Sequence, residues 1–157
     1  MSRDNWLQLR CISVSIEKLS VVQNVFINLP VQNLPSSVQF FTRLGFRFHA
    51  GISDESAACM MVSPNVNVML LTKEKFGQNT PLPVADARLS SEVQVCLQLD
   101  SRKAVDRMIK DAIQAGGVTF KVPQDYGFMY GHSFQDLDGH IWELIHLDID
   151  VEKPESK

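Results

Sequence analysis

Only three cysteines occur among the 157 residues, Cys11, Cys59 and Cys96. They are odd in number, far apart and never in a Cys-x-x-Cys pair, which argues against a disulfide framework or a structural zinc site. Reduced thiols in a cytoplasmic protein are the simplest reading. No apolar run approaches the length of a membrane span, and Arg10, Glu17 and Lys18 interrupt any signal-peptide-like core near the N-terminus. Neither sign of charge dominates, because 15 Lys and Arg stand against 18 Asp and Glu for a net charge of -3. Binding nucleic acid needs a basic stripe that displaces counterions, and no such stripe is present. What remains is an ordinary globular composition, 45% apolar and 21% charged, of a size that suits one domain or two small modules sharing a core.

The chain reads as two copies of one unit. In the first, VFINLPV over Val25–Val31 alternates, with Val25, Ile27, Leu29 and Val31 on the core side and Phe26, Asn28 and Pro30 facing away. An amphipathic helix follows, in which Val38, Phe41 and Leu44 share a face and Gly45 stops the run. The same order returns in the second. Val93, Val95, Leu97 and Leu99 alternate with Gln94, Cys96 and Gln98; Ser101 caps a helix burying Val105, Met108, Ile109, Ala112 and Ile113; Gly116 and Gly117 end it. Three strand candidates follow each helix, at 46–49, 57–62 and 66–72, then at 118–122, 132–135 and 140–147. The expected fold is therefore α+β, a tandem βαβββ repeat whose curved sheets carry helices on one face and form a cup with the other. The expected division is an extension at 1–23, modules at 24–72 and 92–148, a polar, Pro-bearing linker at 73–91, and a disordered tail at 149–157.

The segment most suggestive of chemistry is SFQDLDGHIWELIH, where two strand-like runs meet at an Asp-Leu-Asp-Gly turn. Alternation places Ile141, Glu143 and Ile145 on one face and His140, Trp142, Leu144 and His146 on the other. A carboxylate between two isoleucines is either an exposed rim residue or a pocket acid that can orient a ligand or accept a proton. His132 precedes the turn, and Tyr126, followed by Met129 and Tyr130 in a glycine-flanked GFMYG stretch, is near enough to it for the segment to be expected as a mobile loop at the cup entrance. Tyr130 and His132 are thus candidate ligand contacts.

FINLPVQNLPSSVQFFTRLGF together with YGHSFQDLDGHIWELIHLD resembles the vicinal oxygen chelate superfamily, which includes glyoxalase I, fosfomycin-resistance proteins, extradiol dioxygenases and bleomycin-binding proteins. Within it the chain is most similar to small bacterial proteins labelled predicted lactoylglutathione lyases. The resemblance implies paired modules, commonly within a homodimer, around a small-molecule cup. It also implies metal ligands on the first and last strands of each module. Those positions fall at Phe26, Met69, Gln94 and Glu143. A phenyl ring cannot ligate and a thioether is too soft for Mg, Mn or Zn, so only Gln94 and Glu143 remain as metal-ligand candidates.

The expectation is a glyoxalase or bleomycin-resistance type of protein that binds a small organic molecule without an obligatory tight metal. Glu143 is its candidate catalytic or orienting group, and Phe26, Asn28, Met69, Gln94, Gln98, Tyr130 and His132 are its candidate binding residues. The alternative is a lyase or isomerase of the glyoxalase I type using a weakly bound Ni, Zn, Mn or Mg ion. A small-molecule ligand and a second copy of the chain are the expected partners, with no nucleic acid and no membrane.

Overall fold

In the computed structural model, residues 21–148 are described, so the tail at 149–157 and all but the end of the extension at 1–23 lie outside the described residues. Each half of the chain builds the same sheet. β1 (Val25–Val31) pairs in parallel with β4 (Val66–Thr72), β4 pairs antiparallel with β3 (Ala57–Ser63), and β3 with the short β2 (Arg47–Phe48). In the second half β5 (Gln94–Gln98), β8 (Ile141–Leu147), β7 (Met129–Gln135) and β6 (Gln124–Asp125) repeat that order and those directions. The parallel pairs require crossovers, and these begin with α1 (Leu34–Arg43) and α3 (Arg102–Gln114). Asn33 caps α1 by accepting the Ser36 amide at 2.9 Å, and Ser101 caps α3 by accepting the Ala104 amide at 3.1 Å. Past α3 the chain turns at Gly116, whose φ of +108° is the left-handed backbone that glycine adopts without a Cβ penalty.

The helix-bearing faces of both sheets share one core. Leu29, Val31, Met60, Val68 and Leu70 come from the first sheet, Val95, Phe134, Trp142 and Leu144 from the second. Phe40 and Phe41 on α1 join them: Phe41 lies 4.9 Å from the Trp142 ring and Phe40 lies 6.1 Å from Phe134. Trp142 and Phe134 stack almost in parallel at 6.3 Å. Neither module buries its helix face alone, which makes the two halves one folding unit.

The Asp-Leu-Asp-Gly-His turn fastens the seam. Asp136 is buried; its Oδ1 accepts the amides of Asp138 and His140, and its Oδ2 accepts the indole N–H of Trp142 at 3.0 Å. Burial pushes this carboxyl above the usual carboxylate range, against the opposing pull of His140 and of those donors. Asp138 reaches across to the first module, accepting the Gln32 amide at 2.8 Å and the Ser37 hydroxyl at 3.1 Å. His140 donates Nε2–H to the Pro30 carbonyl at 2.7 Å.

Several local expectations are corrected. Residues 118–122 do not form a strand; Val118 alone makes a bridge with Gln135, and the edge strand is instead β6 at Gln124–Asp125. Val118, Phe120 and Val122 are all exposed, so the apolar half of that run has no surface to pack against. Met129 and Tyr130 open β7 instead of sitting on a mobile loop. Val25, Val93 and Ile113, expected in the core, are about half exposed because each stands at an element end or on the outer flank of its face. The linker is not wholly irregular either, since Lys73–Gly77 forms α2 with Thr72 as its cap. Among the described residues, no helix is long and apolar enough to cross a membrane.

Candidate functional site

Strand alternation on β8 sends Trp142 and Leu144 into the core, fully buried, and turns Ile141, Glu143 and Ile145 to the open face. The register sets Cys96 of β5 beside Glu143 on one side and Ser133 of β7 on the other, with Gln94 beside Ile141 and Gln98 beside Ile145. Gln94, Cys96 and Gln98 are exposed and Glu143 is half-buried, so this face is a polar floor with two isoleucines in it. Three of the expected site residues, Gln94, Gln98 and Glu143, are therefore neighbours on one surface. Burial raises the Cys96 thiol first, and the negative charge and hydrogen bonding of Glu143 raise it further, which keeps the thiol protonated beside the carboxylate.

Lys121 is a neighbour that the strand pattern did not single out. Its Nζ lies 3.7 Å from Glu143 Oε1, with both side chains about a third exposed. No sequence signal placed it there, because the run 118–122 is not a strand and alternation does not fix which way its side chains point.

The open face of the first sheet carries Phe26, Asn28 and Met69. Asn28 is register partner to Met69, and Phe26 to Asn67. Phe26 and Asn28 are exposed and Met69 is half-buried. Tyr130 and His132 are placed elsewhere, because they share the parity of Phe134 on β7 and face the helices. The Tyr130 hydroxyl donates to Asp106 Oδ1 of α3 at 2.6 Å, and this hydrogen bond, with burial, pushes the phenol up to about 12. His132 donates Nε2–H to the Lys121 carbonyl at 2.9 Å. Neither lies on the Glu143 face.

A cavity of about 340 Å³ opens where the modules meet. Asn28 and Pro30 of β1, His140, and Ile141 of β8 form one side, and Phe76 and Leu82 of the linker region form the other. The linker is seated firmly there. Arg88 Nη2 donates to the Leu137 carbonyl at 2.7 Å, and the linker backbone passes so close to Gly139 that a Cβ there would meet the Arg88 amide at 2.9 Å. The cavity joins Asn28 to Ile141, which stands two positions before Glu143 on the same face. A wider groove of about 770 Å³ includes Phe26, Met61, Asn67, Leu99 and Met108.

The four strand positions offer few hard donors to a divalent ion. Among the described residues, no three His, Cys, Asp or Glu side chains converge. Of the four strand positions, Phe26 offers carbon and Met69 a thioether; Gln94 offers one amide oxygen and Glu143 one carboxylate. That carboxylate already faces an ammonium, which competes with a metal for the same oxygen.

Two four-stranded sheets in identical order, each with its helix on one face and the other face open, define the paired βαβββ fold. Residues 23–144 match the Glyoxalase/Bleomycin resistance protein/Dioxygenase superfamily, and the chain belongs to that superfamily. Solved structures agree on the fold. The hypothetical protein SA1046 from S. aureus is 26% identical with a TM-score of 0.69 over 80% of this chain and 94% of that one. A glyoxalase/bleomycin resistance protein/dioxygenase from Nocardioides is 22% identical, TM-score 0.63, over 91% of this chain and 94% of that one. The bleomycin resistance determinant encoded on transposon Tn5 is 19% identical, TM-score 0.56, over 80% of this chain and 98% of that one. A search of the curated proteins finds no match.

Proposed function

We propose that this protein binds a small organic molecule against the open faces of its sheets, without an obligatory tight metal, and that Glu143 orients it there. The observation that carries this reading is the half-buried Glu143 between Ile141 and Ile145, with Cys96 beside it and Gln94 and Gln98 paired to the two isoleucines. Apolar walls with a few placed polar groups are how small-molecule sites are generally built; the cavity of about 340 Å³ reaches this face at Ile141, although Glu143, Gln94 and Gln98 do not line it. Phe26, Asn28 and Met69 then contribute the second wall. Half-exposed Val25, Phe26 and Val93 are surfaces a second copy would cover, so we propose a homodimer whose paired open faces complete the cup. We place the protein in the cytoplasm on its cysteine content.

The test is thermal unfolding of chelator-treated protein with Ni, Zn, Mn and Mg, alongside a screen of small organic ligands. A site filled at a hundredfold excess over its dissociation constant adds roughly 2.7 kcal/mol, enough to be seen. The expected result is stabilisation by an organic ligand and by no metal. A metal-specific shift that disappears in Glu143→Gln would overturn the reading in favour of a metal-dependent lyase or isomerase with Gln94 and Glu143 as ligands. Sedimentation at micromolar protein is expected to return the mass of a dimer.

A further inference from the structure

We propose that the open face of the second sheet selects an organic monoanion, and that Lys121 is the residue that selects it. The inference rests on the small-molecule reading above and names the class of ligand that site would take.

Lys121 is delivered to this face by a backbone held at both ends of its run. Val118 and Gln135 exchange two hydrogen bonds, at 3.1 and 2.7 Å, and the Lys121 carbonyl accepts the His132 Nε2–H at 2.9 Å. The ammonium projects beside Glu143, but at 3.7 Å it is farther than the 2.7–2.9 Å or so of a charge-assisted hydrogen bond. Its three protons are therefore not spent on that carboxylate. It also lies 6.0 Å from the centre of the Phe120 ring, which is half exposed. Positive charge, an aromatic ring and the apolar floor of Ile141 and Ile145 thus occur together. Gln94 and Gln98 add amide N–H donors along the same floor.

Glu143 decides the charge of the ligand from the other side. The Cys96 thiol and the Lys121 ammonium both face it, so its charge is already partly offset and a ligand cation gains little there. A dianion such as a phosphate monoester would set its second charge against Glu143. A single carboxylate on an apolar body meets both conditions: its oxygens reach Lys121, and its body covers the isoleucines.

Three probes of one shape test this: phenylacetate, phenylacetamide and phenethylammonium, titrated by calorimetry and by amide chemical shifts at low salt. Phenylacetate is expected to bind the wild type most tightly, to lose roughly threefold or more in Lys121→Met, and to be retained in Lys121→Arg. Glu143→Gln should tighten phenylacetate, because a like charge is removed, and added salt should weaken it. Preference for phenethylammonium, or phenylacetate binding that is unchanged in Lys121→Met, would overturn the assignment to Lys121 and leave the ligand cup standing. Failure of all three probes to shift any resonance of the β5 and β8 face would overturn the cup reading along with it.

Discussion

Asp138 Oδ1 accepts the backbone N–H of Gln32 at 2.8 Å, across 106 positions of sequence. The other oxygen of the same carboxylate accepts the Ser37 hydroxyl of α1. One side chain on the β7–β8 turn thereby satisfies a loop amide and a helix hydroxyl of the other module. Asp138→Ala would take away the acceptor of the part-buried Gln32 amide and leave the Ser37 hydroxyl only the Asn33 carbonyl. We expect a loss of about 1–3 kcal/mol in urea unfolding, with Asp138→Asn losing less because one acceptor oxygen survives.

The shared aromatic core predicts one transition for the whole chain. Phe41 belongs to the first module but packs 4.9 Å from Trp142 of the second. Phe41→Ala is expected to cost about 3–5 kcal/mol, as large aromatic deletions in cores do. Circular dichroism and tryptophan fluorescence should coincide with each other in each protein, at a lower midpoint in the variant than in the wild type. Two separate midpoints in the wild type would show that the modules fold independently.

Gly139 is where the linker closes over the seam. Its φ of +91° disfavours any other residue, and an added Cβ would lie 2.8 Å from Arg88 Cγ and 2.9 Å from the Arg88 amide. Gly139→Ala is expected to lose about 1–2 kcal/mol from the backbone conformation alone. It should also displace the Arg88 segment, which limited proteolysis would detect as faster cutting within 78–92.

The Tyr130 hydroxyl carries a pH signature. Its hydrogen bond to Asp106 raises the phenol from 10.0 to about 12. A group that holds its proton more tightly when folded contributes stability in full below its unfolded value and loses it as pH rises toward the folded one. The contribution is therefore intact below pH 10 and disappears between pH 10 and about 12. Phenolate absorbance should show a late component in that range that is missing from Tyr130→Phe, and the stability difference between the two proteins should shrink across the same interval.

Much of the architecture was readable along the chain. The bounds of β1 and β4, the cap Ser101 and the turn at Gly116 all follow from alternation, helical spacing and local capping chemistry. So does the division of β8 into a buried Trp142 face and an open Glu143 face. The errors have one origin. The run 118–122 alternates as a strand should, yet β7 pairs with it only at Val118. Tyr130 looked like a loop residue because flanking glycines suggested a hinge, whereas pairing with β8 draws it into β7 and Asp106 fixes its hydroxyl. Local pattern specifies what a segment can do, and the neighbouring strand decides whether it does so.

The sequence by itself determined the tandem βαβββ order, the helix-facing and open sides of each strand, and the presence of a carboxylate among apolar residues on an open side. Periods of two and 3.6 are properties of the local backbone and need no partner. Tertiary structure alone decided that both helix faces share one core, that the linker roofs a cavity between Asn28 and Ile141, and that the Lys121 ammonium stands beside Glu143. Those relationships arise where segments distant in sequence meet, and their register is set by packing between elements, which no periodicity within an element encodes.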